Sequence, residues 1–149
     1  MSSLQEGQAA PNFNAKDDQG NTVQLSDFKG KKNIVLYFYP KDDTPGCTIE
    51  ACNFRDSYSQ FQTKDTQILG VSYDDAGSHQ AFKSKFHLPF PLLVDSDKKI
   101  AQAFGVQGDK YAARDTIIIG KDGKILKIFR KVDPASHSGE ILNLLGQGR

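Results

Sequence analysis

The chain carries two cysteines, Cys47 and Cys52, five residues apart in the stretch "FYPKDDTPGCTIEAC" that runs from Phe38 to Cys52. Cys47 follows Thr44-Pro45-Gly46, a turn of the kind that opens a helix. Its sulfur would then meet the free N–H groups and the positive dipole end of a first turn. Such a place favours a thiolate over a thiol, and a thiolate is a nucleophile in search of an electrophile. A disulfide, a peroxide and an acyl group are the candidates.

Other chemistries fit these residues less well. A structural zinc site wants four nitrogen or sulfur ligands, often with a cysteine pair two to four residues apart. Here the two cysteines are joined only by His79, His87 and His137, none in a close pair. No metal and no cofactor is expected. A thiol–disulfide exchanger of the thioredoxin type would place C-x-x-C here, and this chain has Cys47-Thr-Ile-Glu-Ala-Cys52 instead. A Cys–His hydrolase needs a histidine beside Cys47 in space, and all three histidines sit in polar, surface-like stretches. Cys52 can also be read as a small buried hydrophobe.

The spacing restricts what the pair can do together. Five residues of regular helix rise about 7.5 Å and turn about 140°, which separates the Cα atoms by roughly 8 to 9 Å. A disulfide needs them within about 7 Å. If both residues are helical, a static disulfide is disfavoured. One that forms transiently, with local unfolding, is allowed.

The elements that must position Cys47 can be read around it. "NIVLYFY" (Asn33–Tyr39) is continuously apolar, the pattern of a central strand buried on both faces. Pro40 ends it, and "KDDTPG" is a turn. "CTIEACNFRDSYSQFQ" has helical spacing, with Phe54, Tyr58 and Phe61 on one stripe. "QILGVSY" (Gln67–Tyr73) is a second buried strand, which completes a βαβ unit. "SHQAFKSKF" reads as a helix that packs Phe82 and Phe86 and stops at Pro89. "PLLV" is a short strand, and "SDKKIAQAFG" a short helix ended by Gly105. "DTIIIGKDGKILKIFRK" is a hairpin through Asp122-Gly123. "DPASHSGEILNLLG" is a final amphipathic helix carrying Ile141, Leu142, Leu144 and Leu145. Near the start, "NFNAKDDQGNTVQL" forms two short strands around Gly20, followed by a connection with Ser26 as candidate cap. The class is α/β, with a central sheet, helices on its faces, an N-terminal β-hairpin and a C-terminal antiparallel hairpin. That order is compatible with a thioredoxin-like sheet.

Composition bounds the rest. At 149 residues the chain is expected to be one domain, 1–149. A net charge of +1 gives no strong pull toward nucleic acid or a membrane surface. No apolar run reaches the roughly 18 to 20 residues that span a bilayer. The opening "MSSLQEGQAAPNF" lacks the basic and apolar regions of a secretory signal. Two cysteines cannot supply a disulfide framework, so a reducing, cytoplasmic location is expected, or an organelle if a targeting segment has been removed.

"YPKDDTPGCTIEAC" contains Pro40, Thr44 and Cys47 in the P-x-x-x-T-x-x-C pattern of the peroxiredoxins, which it resembles. "EACNFRD", "LGVSYDD", "FKSKFHLPFPLLVD", "AFGV" and "ARDTIIIGKDGKI" are similar to the bacterioferritin-comigratory-protein (PrxQ) branch. The resemblance runs from about Pro11 to Leu145. Gly120 departs from it, where such proteins often carry an acidic residue.

The resemblance implies a thioredoxin fold and a thiol-dependent peroxidase for hydrogen peroxide and organic hydroperoxides. Cys47 matches the peroxidatic cysteine. Cys52 matches the resolving cysteine on the same helix, Arg114 the active-site arginine. By this resemblance Cys47 becomes a sulfenic acid, Cys52 condenses with it, and thioredoxin, or glutaredoxin, reduces the disulfide. A monomer is implied. In chemical terms, Arg114 is always cationic and offers fixed donors. The Thr44 hydroxyl both donates and accepts. Pro40 shapes the loop and shields the sulfur, and Gly46 allows close backbone approach at the site. Without the resemblance, Arg114 reads better as a surface partner of Asp115 or Asp109, Thr44 reads equally as a turn or capping residue, and Pro40 as a strand stop. The competing function is a non-peroxidase thiol–disulfide exchanger or a chaperone-like module on the same fold.

Overall fold

The computed structural model describes residues 4–148, with side chains from 4 to 145. Strand β3 (Asn33–Phe38) is its centre, flanked by β4 (Thr66–Ser72) in parallel and β6 (Thr116–Ile119) in antiparallel. Parallel β5 (Leu92–Val94) and antiparallel β7 (Ile125–Phe129) complete the order β5-β4-β3-β6-β7. The register sets Leu36 between Leu69 and Ile117. The side chains of β3 alternate across the sheet, as strand geometry requires. Ile34, Leu36 and Phe38 enter one apolar cluster with Phe13, Leu69, Phe104 and Ile117. Val35, Tyr37 and Tyr39 enter the other with Phe54, Phe61, Phe90 and Ile118. Both faces are therefore covered, which accounts for the uninterrupted apolar run.

The N-terminal strands β1 (Asn14–Lys16) and β2 (Thr22–Gln24) form the expected separate ribbon, with Gly20 at φ +81° in its turn. Ser26 is not a cap. It lies inside the 3-10 turn Leu25–Asp27, which is closed reciprocally by Gln24 and Asp27, whose carboxylate accepts from the Gln24 N–H at 3.0 Å.

The helical pattern after Pro40 yields two helices, α1 (Pro45–Asp56) and α2 (Tyr58–Thr63). Ser57, a poor helix former, leaves the helical region at ψ 4° and separates them. Phe54 and Phe61 are still fully buried, while Tyr58 is half-buried and accepts from Gln67. Helix α3 (Ala76–Phe86) begins at Asp75, which accepts from the Ser78 N–H. It ends at His87 in the left-handed region (φ 54°), two residues before Pro89. Helix α4 (Lys99–Ala103) has its first N–H groups held by the buried Asp95. Helix α5 (His137–Gly148) buries Ile141 and leaves Leu142, Leu144 and Leu145 partly buried against the same cluster as α1.

Candidate active site

Three features of the fold converge on Cys47. Strand β3 ends at Phe38, whose N–H donates to the Asp115 carbonyl at 2.8 Å. The antiparallel β3–β6 pairing therefore sets Arg114, just before β6, beside the loop that leaves β3 at the half-buried Pro40. That loop, Lys41–Thr44, passes directly into α1. Thr44 is the extended residue before the helix (φ −102°, ψ 157°), Pro45 opens it, and Cys47 sits in the first turn. Proline is suited to that opening, since its missing N–H would have had no helical partner.

Cys47 is 1% exposed and packs in the cluster of Tyr37, Tyr39, Ala51 and Phe54. Cys52 is half-buried on the same unbroken helix, and neither sulfur is bonded to another. The helical separation anticipated from their spacing thus applies.

Arg114 lies against the Cys47 side of α1. Its Nη1 donates to Glu50 Oε1 at 3.0 Å. A Cβ at Gly46 would come within 2.9 Å of Arg114 Nη2, so the guanidinium rests on that glycine. Gly46 and Glu50 are one helical turn apart on one stripe, and Cys47 lies between them. The surface alternatives for Arg114 are excluded, because Asp115 is occupied by Arg130 at 2.9 Å and by the Lys131 N–H. Asp109 makes no ion pair with it among the described residues.

Glu50 was missed in the sequence. It stands inside "CTIEAC", three residues after Cys47, and that offset alone places both on one helix face. Glu50 is 1% exposed, and burial lifts its carboxyl to about 7 despite the opposing pull of Arg114. Its Oε2 and the Tyr37 hydroxyl, both buried, have no protein partner. Burial, with Glu50 next in weight, pushes the Tyr37 phenol well above its usual range, so it remains protonated.

The Thr44 hydroxyl donates to the Lys41 carbonyl at 2.8 Å. Its proton is engaged in the loop, and its lone pairs remain free to accept from a ligand.

Two histidines differ from the surface-like contexts expected of them. His79 and His137 are fully buried, while His87 is exposed. The sequence signal lay in their apolar helical neighbours, Phe82 for His79 and Ile141 for His137. Neither bonds to Cys47. His79 faces Asp42 and the Leu93 carbonyl, and His137 faces Thr116 and Glu140, so no Cys–His dyad forms. Asp42, Asp74 and His79 cluster with metal-type ligand atoms. Those atoms already accept from or donate to protein groups.

Residues 6–128 match the model of the AhpC/TSA family. The chain belongs to the AhpC/TSA family. It is 49% identical over 150 residues to peroxiredoxin Bcp of Bacillus subtilis, covering 95% of each chain. It is 44% identical to the chloroplastic peroxiredoxin Q of Oryza sativa subsp. japonica, covering 95% of this chain and 67% of the relative. Among solved structures, PrxQ of Xylella fastidiosa superposes with TM-score 0.92 at 33% identity over 98% of both chains. BcpB of Mycobacterium tuberculosis gives the same TM-score at 31% identity, over 98% of this chain and 99% of that one. The fold is the thioredoxin-like fold of the peroxiredoxins, and the activity is that of a thiol-dependent peroxidase.

Proposed function

We propose that Cys47 attacks the peroxide, that Arg114 and Thr44 hold the reacting oxygens, and that Cys52 resolves the product within the same chain. The observation that carries this reading is Arg114 resting on Gly46 beside the first-turn cysteine. The Cys47 thiolate attacks one oxygen of ROOH. A sulfur–oxygen bond forms, the O–O bond breaks, and RO⁻ leaves to take a proton from solvent. Charge develops on those oxygens, where a fixed guanidinium stabilises it most. Thr44 accepts the peroxide O–H, Gly46 lets Arg114 approach, and Pro40 closes the loop over the sulfur. The Cys52 thiol then condenses with the Cys47 sulfenic acid, releasing water and leaving a disulfide.

An external dithiol reduces that disulfide, becoming oxidised itself. A thioredoxin is the reductant proposed, with glutaredoxin second. Hydrogen peroxide and alkyl hydroperoxides are the substrate class. An alkyl peroxide reduction activity is attributed to the bacterioferritin comigratory protein of Xanthomonas campestris, similar to this chain at TM-score 0.85 and 32% identity. The single domain works as a monomer, because both sulfurs belong to one chain, and in the reducing cytoplasm, where the dithiol is renewed. No described helix is long and apolar enough to cross a membrane.

The test is steady-state peroxide consumption with a thioredoxin system, in wild type and Cys47→Ser. Activity that disappears in the variant supports the reading, and substantial turnover without the thiol overturns it.

A further inference from the structure

The loop that delivers Thr44 and Cys47 is held from behind by a buried polar network on α3. His79 is fully buried, and both its ring nitrogens face acceptors. Nδ1 lies 2.7 Å from Asp42 Oδ2, and Nε2 lies 2.8 Å from the Leu93 carbonyl oxygen of β5. A carbonyl can only accept, so Nε2 carries a proton. Asp42 is surrounded by donors: the Tyr39 hydroxyl at 2.6 Å to Oδ1, and the Ser78 hydroxyl at 2.8 Å to Oδ2. An Asp42 so solvated is a carboxylate, and Nδ1 must then carry a proton as well. A neutral imidazole has one N–H and cannot serve both acceptors.

We propose that His79 is a positioning residue for peroxide reduction, an imidazolium that clamps Asp42 and so holds the Lys41–Thr44 loop in its reactive shape. This rests on Cys47 being the peroxide-attacking thiol.

The linkage to the sulfur is short. Asp42 also donates its own N–H to Asp74 Oδ2 at 2.8 Å, and Ser72 steadies Asp74 at 2.7 Å. The adjoining Lys41 carbonyl takes the Thr44 hydroxyl proton, and Thr44 is the residue from which α1 starts. Between them Asp43 is held at φ +57°, a left-handed conformation uncommon for a residue with a side chain. Such a conformation persists only where its surroundings enforce it. The clamp on Asp42 is the buried part of those surroundings.

The charge balance around His79 is closed. From the loop after β3 it meets Asp42 and the Tyr39 phenol. From the loop after β4 it meets Asp74, whose Oδ1 is 3.9 Å from the exposed Lys41 ammonium. From β5 it meets only the Leu93 carbonyl, since Asp95 is turned to the N–H groups of Ile100 and Ala101. On α3 itself, Asp75 caps Ser78 and Lys83 pairs with Asp18. Burial pulls the imidazolium downward, but the Asp42 hydrogen bond and charge, the Leu93 carbonyl and Asp74 together raise it above its ordinary value. When pH climbs through that raised value, one N–H is lost. The Leu93 carbonyl loses its donor, Asp42 is left a buried anion without a cation, and the loop loosens.

Two measurements test this on the full chain. The first is the ¹⁵N spectrum of the wild-type imidazoles against pH. His79 should carry protons on both nitrogens at pH 7 and release one only as pH rises further. The second is the second-order rate of Cys47 oxidation by hydrogen peroxide, read by rapid quench and thiol-labelling mass spectrometry. Wild type should slow as pH rises through the His79 transition. His79→Gln should be slower at pH 7 by about tenfold, within the cost of misplacing a reacting group. It should also lose the pH dependence that tracks the imidazole, and Asp42→Asn with His79→Gln should be no slower than either alone.

A His79 with one ring proton at pH 7 overturns the proposal, whether or not the variant folds. So does a His79→Gln profile identical to wild type. If Cys47→Ser still consumes peroxide, the underlying reading fails instead. Cys47 essential with His79→Gln unaffected defeats this proposal alone.

Discussion

Arg114 donates to Glu50 at 3.0 Å while its other terminal nitrogen lies over Gly46, one helical turn earlier on the same face of α1. The carboxylate fixes the guanidinium from one side and the glycine gives it room on the other. In the proposed mechanism, removing the guanidinium removes a preorganised donor from the place where peroxide oxygens gain charge. Arg114→Ala is expected to slow Cys47 oxidation by about a hundred- to a thousandfold. Rapid-quench kinetics checks this, and an unchanged rate would return Arg114 to a purely structural pair with Glu50.

Gly46→Ala separates stability from rate. The new Cβ would press on Arg114 Nη2 at 2.9 Å, the far end of a flexible side chain that can move aside. Alanine also favours the helix by up to about 1 kcal/mol. The melting temperature should hold or rise while oxidation slows, as checked by thermal unfolding beside the same kinetics.

Glu50 makes stability depend on pH in a definite direction. Its carboxyl is raised from 4.5 to about 7 by burial, only partly countered by Arg114. The folded protein therefore binds more protons than the unfolded chain between those values, so stability falls as pH rises. The contribution is complete below 4.5 and is lost as pH passes through about 7. The full change is at most about 3 kcal/mol. Urea unfolding across this window should show wild type losing stability relative to Glu50→Gln as pH rises, with no further change above it. A difference that does not vary with pH would show Glu50 to titrate normally.

The two cysteines cannot bond while α1 is intact. The C-terminal half of α1 is tied down: Phe54 packs at a tilt against Tyr37 with ring centroids 4.7 Å apart, and Asn53 donates to the carbonyls of Pro134 and Ala135. Arg55 donates to the Phe86 carbonyl. Unwinding is thus expected in the first turns, ahead of Phe54. Hydrogen exchange should quicken across Gly46–Phe54 on oxidation. Cys52→Ser should react once with peroxide and then pass more readily to sulfinic acid, because nothing captures the sulfenic acid. Mass spectrometry of the Cys47 peptide reads this, and equal protection in both redox states would contradict the local opening.

The sheet, the ribbon and the cysteine helix were legible because each rests on a local pattern. The apolar run of β3, the Gly20 and Asp122-Gly123 turns and the Thr44-Pro45 helix opening all announce themselves. Tertiary partners did not. Glu50 and Arg114 are far apart in the chain, and only the β3–β6 pairing brings them together. His79 and Asp42 are likewise joined through packing of α3 against the sheet. Polar residues in a polar stretch look like surface until the fold encloses them. The single long helix expected after Pro40 failed at Ser57 because spacing alone does not register a one-residue break.

The most direct measurement is peptide mapping by mass spectrometry after one equivalent of hydrogen peroxide is added to the reduced protein. The proposed cycle yields a Cys47–Cys52 linkage within one chain, with sulfenic acid trapped at Cys47 when Cys52 is serine. Oxidation that begins at Cys52, or disulfides found only between chains, would contradict it.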